Sequence, residues 1–354
     1  MRRIENNRKR NAMLVGGGIA LGLAGARALM RRRQSDLTGQ VAVITGSSRG
    51  LGFVLAREFA REGCRIVLCA RDRAELDRAS SHIQEETRAE VLAVTCDVTD
   101  RDQVDDLIRQ TKDRFGRIDI LVNNAGRIEV GPLQSMTVED FERALKVMFW
   151  GVLYPTLSVL PDMLARRSGR IVNITSIGGK VSMPHLIPYG CAKFAAIGLS
   201  EGLRAELKKE GIRVTTIVPG LMRTGSFLNA SFKGHQEREY QWFSLGAAMP
   251  GVSMSAERAA RQIVAATKRG SAERILSLPA VLLARFHGMF PGLTADLLSF
   301  ANRLVLPRSA GGEKETRRGM EVHERARSRV HSALTGMGFS AAERFHQYPG
   351  PAQG

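Results

Sequence analysis

Short apolar runs rich in β-branched residues alternate with longer amphipathic stretches along most of this chain. Val41-Ala42-Val43-Ile44-Thr45 is apolar without interruption, the pattern of a strand buried on both faces. Leu51, Val54, Leu55 and Phe59 then recur at helical spacing. The same alternation predicts strands at 65–70, 91–95, 120–122, 170–174, 213–218 and 274–277. Between them it predicts helices over 74–87, 103–115, about 138–166, 189–210 and 256–268. Strand and helix in strict alternation predict an α/β chain, a Rossmann-type doubly wound parallel sheet, in a single domain over 38–278.

In such sheets ligands bind at the carboxyl ends of the strands. Thr45, Arg71, Asp97, Asn124, Ser176 and Pro219 all fall at such ends. The first strand runs into Gly46-Ser47-Ser48-Arg49-Gly50-Leu51-Gly52 and then into a helix. Glycines there allow a tight turn and a close approach to a pyrophosphate, which the helix N-terminus favours. At the end of the second strand a dinucleotide site commonly has an acid for the ribose 2′-hydroxyl. Here Arg71 occupies that place and Arg49 sits within the turn. Two guanidiniums fit a 2′-phosphate, hence NADP(H) over NAD. The competing reading makes Arg71 a solvated strand-end residue beside Arg73 and Arg78.

Tyr189 and Lys193 stand four apart on a predicted helix and so share a face. A tyrosine pKa of about 10 makes a poor acid–base catalyst at neutral pH, and a nearby ammonium lowers it. Taken alone, this spacing also suits an ordinary helix surface.

Jointly these pieces resemble the short-chain dehydrogenase/reductase family. The matching residues are Thr45-Gly46-x-x-x-Gly50-x-Gly52, Asp97-Val98, Asn123-Asn124-Ala125-Gly126, Ser176, Tyr189-x-x-x-Lys193, and Pro219-Gly220 followed by Thr224. They occur in family order from about residue 38 to 225. The resemblance implies that Tyr189 exchanges a proton with the substrate oxygen and that Ser176 hydrogen-bonds that oxygen. Lys193 would lower the Tyr189 pKa and hold the nicotinamide ribose. Thr45, Gly46, Ser48, Arg49, Gly50, Leu51, Gly52, Arg71, Asp97, Val98, Asn124, Ala125, Gly126, Pro219, Gly220 and Thr224 would line the cofactor, with Tyr189 and Lys193. Thr175 is the alternative hydroxyl, but the thirteen-residue step to Tyr189 favours Ser176. One position departs: the family asparagine before a glycine is Met148 in Val147-Met148-Phe149-Trp150-Gly151. Methionine has no donor to anchor a proton-relay water.

The implied activity is an NADP(H)-dependent interconversion of a ketone or aldehyde with an alcohol. The alternative is a membrane-tethered NADP(H)-binding sensor or scaffold with little turnover, for which Met148 is the support. The family also implies a homo-oligomer. Large apolar residues between Phe227 and Met249 either pack a loop onto the body or roof an apolar substrate pocket.

Composition adds a partner. The formal net charge is +17, and residues 1–34 hold +8 of it. Within them an apolar run at 12–26, extended to Met30, is flanked by Arg8-Lys9-Arg10 and Arg31-Arg32-Arg33. A span needs about 20 apolar residues. The expectation is an N-terminal membrane anchor with the domain facing the cytoplasm; a cleaved signal ending at Ala24-Gly25-Ala26 and a soluble tail are the rivals. Four scattered cysteines and seven histidines show no metal spacing, and no nucleic-acid motif is present. Residues 279–306 form a second, interrupted apolar stretch that would pack on the domain, dimerise or lie in a membrane interface. Residues 307–354 read as a polar tail, partly helical or disordered.

Overall fold

The computed structural model describes residues 35–307, 314–325 and 329–347. The expected N-terminal anchor at 1–34 lies outside the described residues.

Seven parallel strands form the central sheet: β1 (Val41–Thr45), β2 (Arg65–Ala70), β3 (Val91–Thr95), β4 (Ile120–Asn123), β6 (Gly169–Ile174), β7 (Ile212–Val218) and β11 (Glu273–Ile275). Their order across the sheet is β11-β7-β6-β4-β1-β2-β3, the order reversing at β1. The omitted numbers belong to two-residue strands of two small sheets: β5 (Glu129–Val130), β9 (Ser231–Phe232) and β12 (Arg317–Arg318) in one, β8 (Met222–Arg223) and β10 (Met254–Ser255) in the other.

Alternate side chains of β1 feed the two faces. Ala42 and Ile44 join the core under helices α1 (Gly50–Arg61), α2 (Arg73–Thr87) and α8 (Ala256–Arg269). Val41 and Val43 join the core under α3 (Arg101–Phe115), α5 (Gly151–Ala165) and α6 (Ile187–Leu207). Burial on both faces explains why these strands read as unbroken apolar runs rather than alternating ones. Helix starts are fixed locally. Asp72 accepts from the Glu75 N–H at 2.9 Å, and Asp100 accepts from those of Asp102 and Gln103 at 3.0 and 3.2 Å.

The long helix expected over 138–166 is present from Val138 to Ala165, with a π-type turn inside it. It comprises α4 (Val138–Leu145), a wide π-type turn at Lys146–Trp150, and α5. This run is long and apolar enough to cross a membrane, yet Met148, Val152, Val159 and Met163 are buried inside the domain. It is a core helix.

Within the segment read as a polar tail, α11 (Gly319–Arg325) and α12 (Arg329–Arg344) pack on α7 (Gln236–Ala248). Val322, Ala342 and Phe345 are each buried. The apolar stretch before them folds as a helical hairpin, α9 (Leu278–Met289) and α10 (Pro291–Leu304).

Candidate active site

The site stands on the carboxyl ends of β1, β4, β6 and β7. At β1 the chain turns through Gly46, whose φ of +63° suits glycine. A Cβ on Gly52 would meet the Gly46 carbonyl at 2.1 Å, so only hydrogen fits where α1 crosses the turn. Asn124 ties this turn to β4: its Nδ2 donates to the Thr45 and Gly46 carbonyls at 2.9 and 3.0 Å. The Thr45 hydroxyl in return accepts from the Asn124 and Ala125 N–H groups at 2.9 and 3.0 Å. Thr45, Asn124 and Ala125 thus hold the turn's shape.

Arg49 and Arg71 are already engaged. Arg49 Nη1 lies 2.8 Å from Glu75 Oε1, while the other oxygen of Glu75 accepts from Ser48 Oγ at 2.8 Å. Arg71, largely exposed, stands 3.9 Å from Asp97. The Asp97 carboxylate also accepts from Thr99 N–H at 2.9 Å. Val98 is buried against Gly151, where a Cβ would sit 2.8 Å from Val98 Cγ2.

Ser176, Tyr189 and Lys193 come together as expected. The Ser176 hydroxyl accepts from Gly178 N–H at 3.0 Å, and a Cβ on Gly178 would lie 3.5 Å from Ser176 Oγ and 3.1 Å from Tyr189 Cε1, so the two side chains are neighbours. Lys193 Nζ donates to the Ile174 carbonyl at 2.9 Å and lies 5.8 Å from the Tyr189 ring centre. A Cβ on Gly126 would lie 4.0 Å from that Nζ, which places the Asn124–Gly126 bend beside the ammonium. Burial lowers the Lys193 pKa to about 8. Burial also raises the Tyr189 pKa, only partly offset by the neighbouring Ser176 hydroxyl. The expected lowering of Tyr189 by Lys193 is therefore not realised: the ammonium is turned to the Ile174 carbonyl and is itself desolvated.

Met148 is fully buried in the π-type turn and clusters with Ala144, Ala192 and Tyr189. Pro219 accepts from Ile177 N–H at 2.7 Å, tying β7 to the loop after Ser176. A Cβ on Gly220 would lie 2.8 Å from Ser277 Oγ and 3.1 Å from Ala280, so α9 starts against this bend. Thr224 is buried, and its hydroxyl accepts from Ser226 N–H at 3.3 Å.

Other arrangements were not legible in the sequence. Asn173, three residues before Ser176, accepts from Asn123 at 2.9 Å and donates to Ser200 at 3.0 Å, bracing β4, β6 and α6. His185, four residues before Tyr189, meets Glu239 at 2.7 Å, and Trp242 Nε1 donates to the same carboxylate at 2.6 Å. Both His185 and Glu239 are buried. Lys233 and Asp140 form a second buried pair at 2.5 Å. The third arrangement is a C-terminal strap. The Gly50 N–H donates to the Phe345 carbonyl at 2.8 Å, His346 stacks on Phe53 with ring centres 4.5 Å apart, and Asn229 Nδ2 donates to the Gln347 side chain at 2.6 Å. The strap lies on the glycine-rich turn itself.

The aromatic residues after Thr224 resolve toward packing. Phe227, Phe232, Tyr240 and Phe243 are buried together, with Phe339 of α12 against them. They form the core of the cap rather than the roof of an open pocket.

A parallel sheet whose order reverses at a glycine-rich turn, with Ser176 after a strand end and Tyr189 and Lys193 on the helix beside it, defines a dinucleotide-binding oxidoreductase fold. Residues 40–233 match the short chain dehydrogenase family, and the chain belongs to it. It is 39% identical over 189 residues to an uncharacterized oxidoreductase of Staphylococcus saprophyticus, covering 53% of this chain and 81% of that one. It is 38% identical over 191 residues to a 3-oxoacyl-[acyl-carrier-protein] reductase of Synechocystis, covering 53% of this chain and 76% of that one. Among solved structures it resembles the L-sorbose reductase of Gluconobacter frateurii complexed with NADPH and L-sorbose. That match has a TM-score of 0.62 and 28% identity, and covers 69% of this chain and 97% of that one.

Proposed function

We propose that this protein is an NADP(H)-dependent oxidoreductase interconverting a carbonyl and an alcohol on an apolar, lipid-derived substrate. The observation that carries the reading is the placement of Ser176 Oγ and the Tyr189 ring on either side of Gly178, with Lys193 one helical turn beyond Tyr189 on the same helix. Two named relatives, the sorbose and acyl-carrier-protein reductases, are consistent with the direction of reduction.

The residues fit a dinucleotide. Gly46 and Gly52 leave no Cβ over the turn, Asn124 fixes its shape, and Arg49 and Arg71 stand at the 2′ end. The cofactor supplies or accepts a hydride at its nicotinamide. The chain's own groups do the rest. Tyr189 donates its phenolic proton to the substrate oxygen as negative charge develops there. Ser176 Oγ–H hydrogen-bonds the same oxygen and stabilises that charge. Lys193, beside Gly126, would hold the ribose. Met148 cannot anchor a relay water, so the Ile174 carbonyl is the polar group that Lys193 keeps on this side.

The apolar substrate rests on sequence alone, on the apolar segment at 12–30. Attachment to a membrane through residues 12–30, with the domain in the cytoplasm, is part of this proposal and rests on sequence alone. So does pairing into a homo-oligomer, for which exposed Trp150 in the π-type turn, Leu157 on α5 and Phe194 on α6 offer a surface.

A second reading, a cofactor-binding sensor with little turnover, is favoured by Met148 and by the strap over Gly50. A panel of aliphatic and acyl-chain aldehydes and ketones, followed through NADPH consumption, separates the two. Turnover that is lost in Tyr189→Phe supports the enzyme; tight NADPH binding with no turnover on any of the panel supports the sensor.

A further inference from the structure

The α9–α10 hairpin leaves an apolar face uncovered. On α10, Leu293, Leu297, Phe300 and Leu304 recur at i, i+4, i+7 and i+11, and each is more than half exposed. On α9, Leu278, Leu282 and Met289 form the matching stripe, exposed by 60–69%. Ala280 and Thr294 are the buried residues of the two helices, Ala280 against Gly220. A soluble surface rarely carries this many large apolar side chains in one place.

Charge decides what covers it. Arg285 completes the α9 stripe at the i+7 position, exposed and in line with Leu278, Leu282 and Met289. Arg303 flanks the stripe on α10, and Asp296 is the one carboxylate between residues 278 and 307. A second copy docked on this face would bury Arg285 in an apolar seam with little carboxylate to meet it, which is costly. At a bilayer the leucines enter the acyl boundary while the guanidinium reaches a lipid phosphate. The chain's net +17 favours the same partner.

We propose that the α9–α10 hairpin docks on an anionic phospholipid bilayer, a lipid contact separate from residues 12–30. The proposal does not rest on the oxidoreductase reading. Because α9 starts against Gly220, docking holds the nicotinamide-side strand ends near the lipid surface.

The test uses the full chain. Cys191 is exposed while Cys64, Cys69 and Cys96 are buried, so Cys191→Ser with Leu297→Cys gives one labelling site for an environment-sensitive fluorophore. Asp113→Cys, exposed on α3, is the control position. Vesicles of phosphatidylcholine with phosphatidylserine should shift the emission at 297 to the blue, and spin-labelled lipids should quench it, with neither effect at 113. Arg285→Glu should weaken the effect at 297 roughly tenfold or more. No change at 297 while the chain pellets with the vesicles would assign attachment to another segment and overturn the proposal. A shift at 297 without lipid, together with a doubled mass, would make the occupant a second copy and overturn it as well.

Discussion

The backbone N–H of Gly50 donates to the carbonyl of Phe345 at 2.8 Å, across almost the whole length of the chain. An N–H of the glycine-rich turn is one that a pyrophosphate oxygen would otherwise accept from. Carbonyl and phosphate oxygens are both acceptors, so they compete for it. The strap is held at its end by Asn229 and Gln347. Asn229→Ala should loosen it without touching the buried Phe345, and NADPH should then bind several-fold more tightly. Titration of tyrosine and tryptophan fluorescence against NADPH measures this. Weaker binding in the variant would instead make the strap part of the cofactor site.

Cofactor choice depends on Arg49 and Arg71. Both now face carboxylates, Glu75 and Asp97, and each can turn to a 2′-phosphate. NADPH is expected to bind about tenfold or more tightly than NADH, since one charged hydrogen bond contributes roughly 1.5–3 kcal/mol. Arg71→Asp should erase most of the preference. Equal affinities in the parent chain would show that neither arginine reads the phosphate.

Lys193 gives a pH signature. Its pKa falls from the ordinary 10.5 to about 8 because the ammonium is buried. The unfolded chain therefore holds a proton there that the folded chain releases between those two values. Stability contributed by this group rises with pH across that window, and the penalty is largest below about 8. Lys193→Met removes a penalty of at most ~3 kcal/mol and loses a hydrogen bond to Ile174 worth ~1 kcal/mol. Thermal melts should show the variant more stable than the parent at pH 7. That advantage should shrink, and reverse, as pH approaches 10.5. A variant equally destabilised at every pH would mean the lysine is not desolvated in the folded chain.

The strand–turn–helix at Val41–Gly52 was legible because its cause is local: an apolar run, then glycines where Cβ atoms do not fit. Ser176, Tyr189 and Lys193 were legible through spacing in the family pattern. The π-type turn at Lys146–Trp150 was not, because the apolar period continues through it. The buried pairs His185–Glu239 and Lys233–Asp140 join residues 54 and 93 positions apart, and nothing in either neighbourhood marks the partner. Phe345 is an apolar residue in a run of Glu, Arg and Gln, so composition hid the strap.

The most direct measurement is single-turnover NADPH oxidation by the parent chain and by Tyr189→Phe, with a carbonyl compound on which the parent turns over. Phenylalanine removes only the hydroxyl that carries the proton. The account predicts NADPH affinity within about twofold of the parent and a rate lower by about 100-fold or more, the usual range for losing a general acid. A Tyr189→Phe chain that keeps most of its rate would contradict the assignment of the proton to Tyr189.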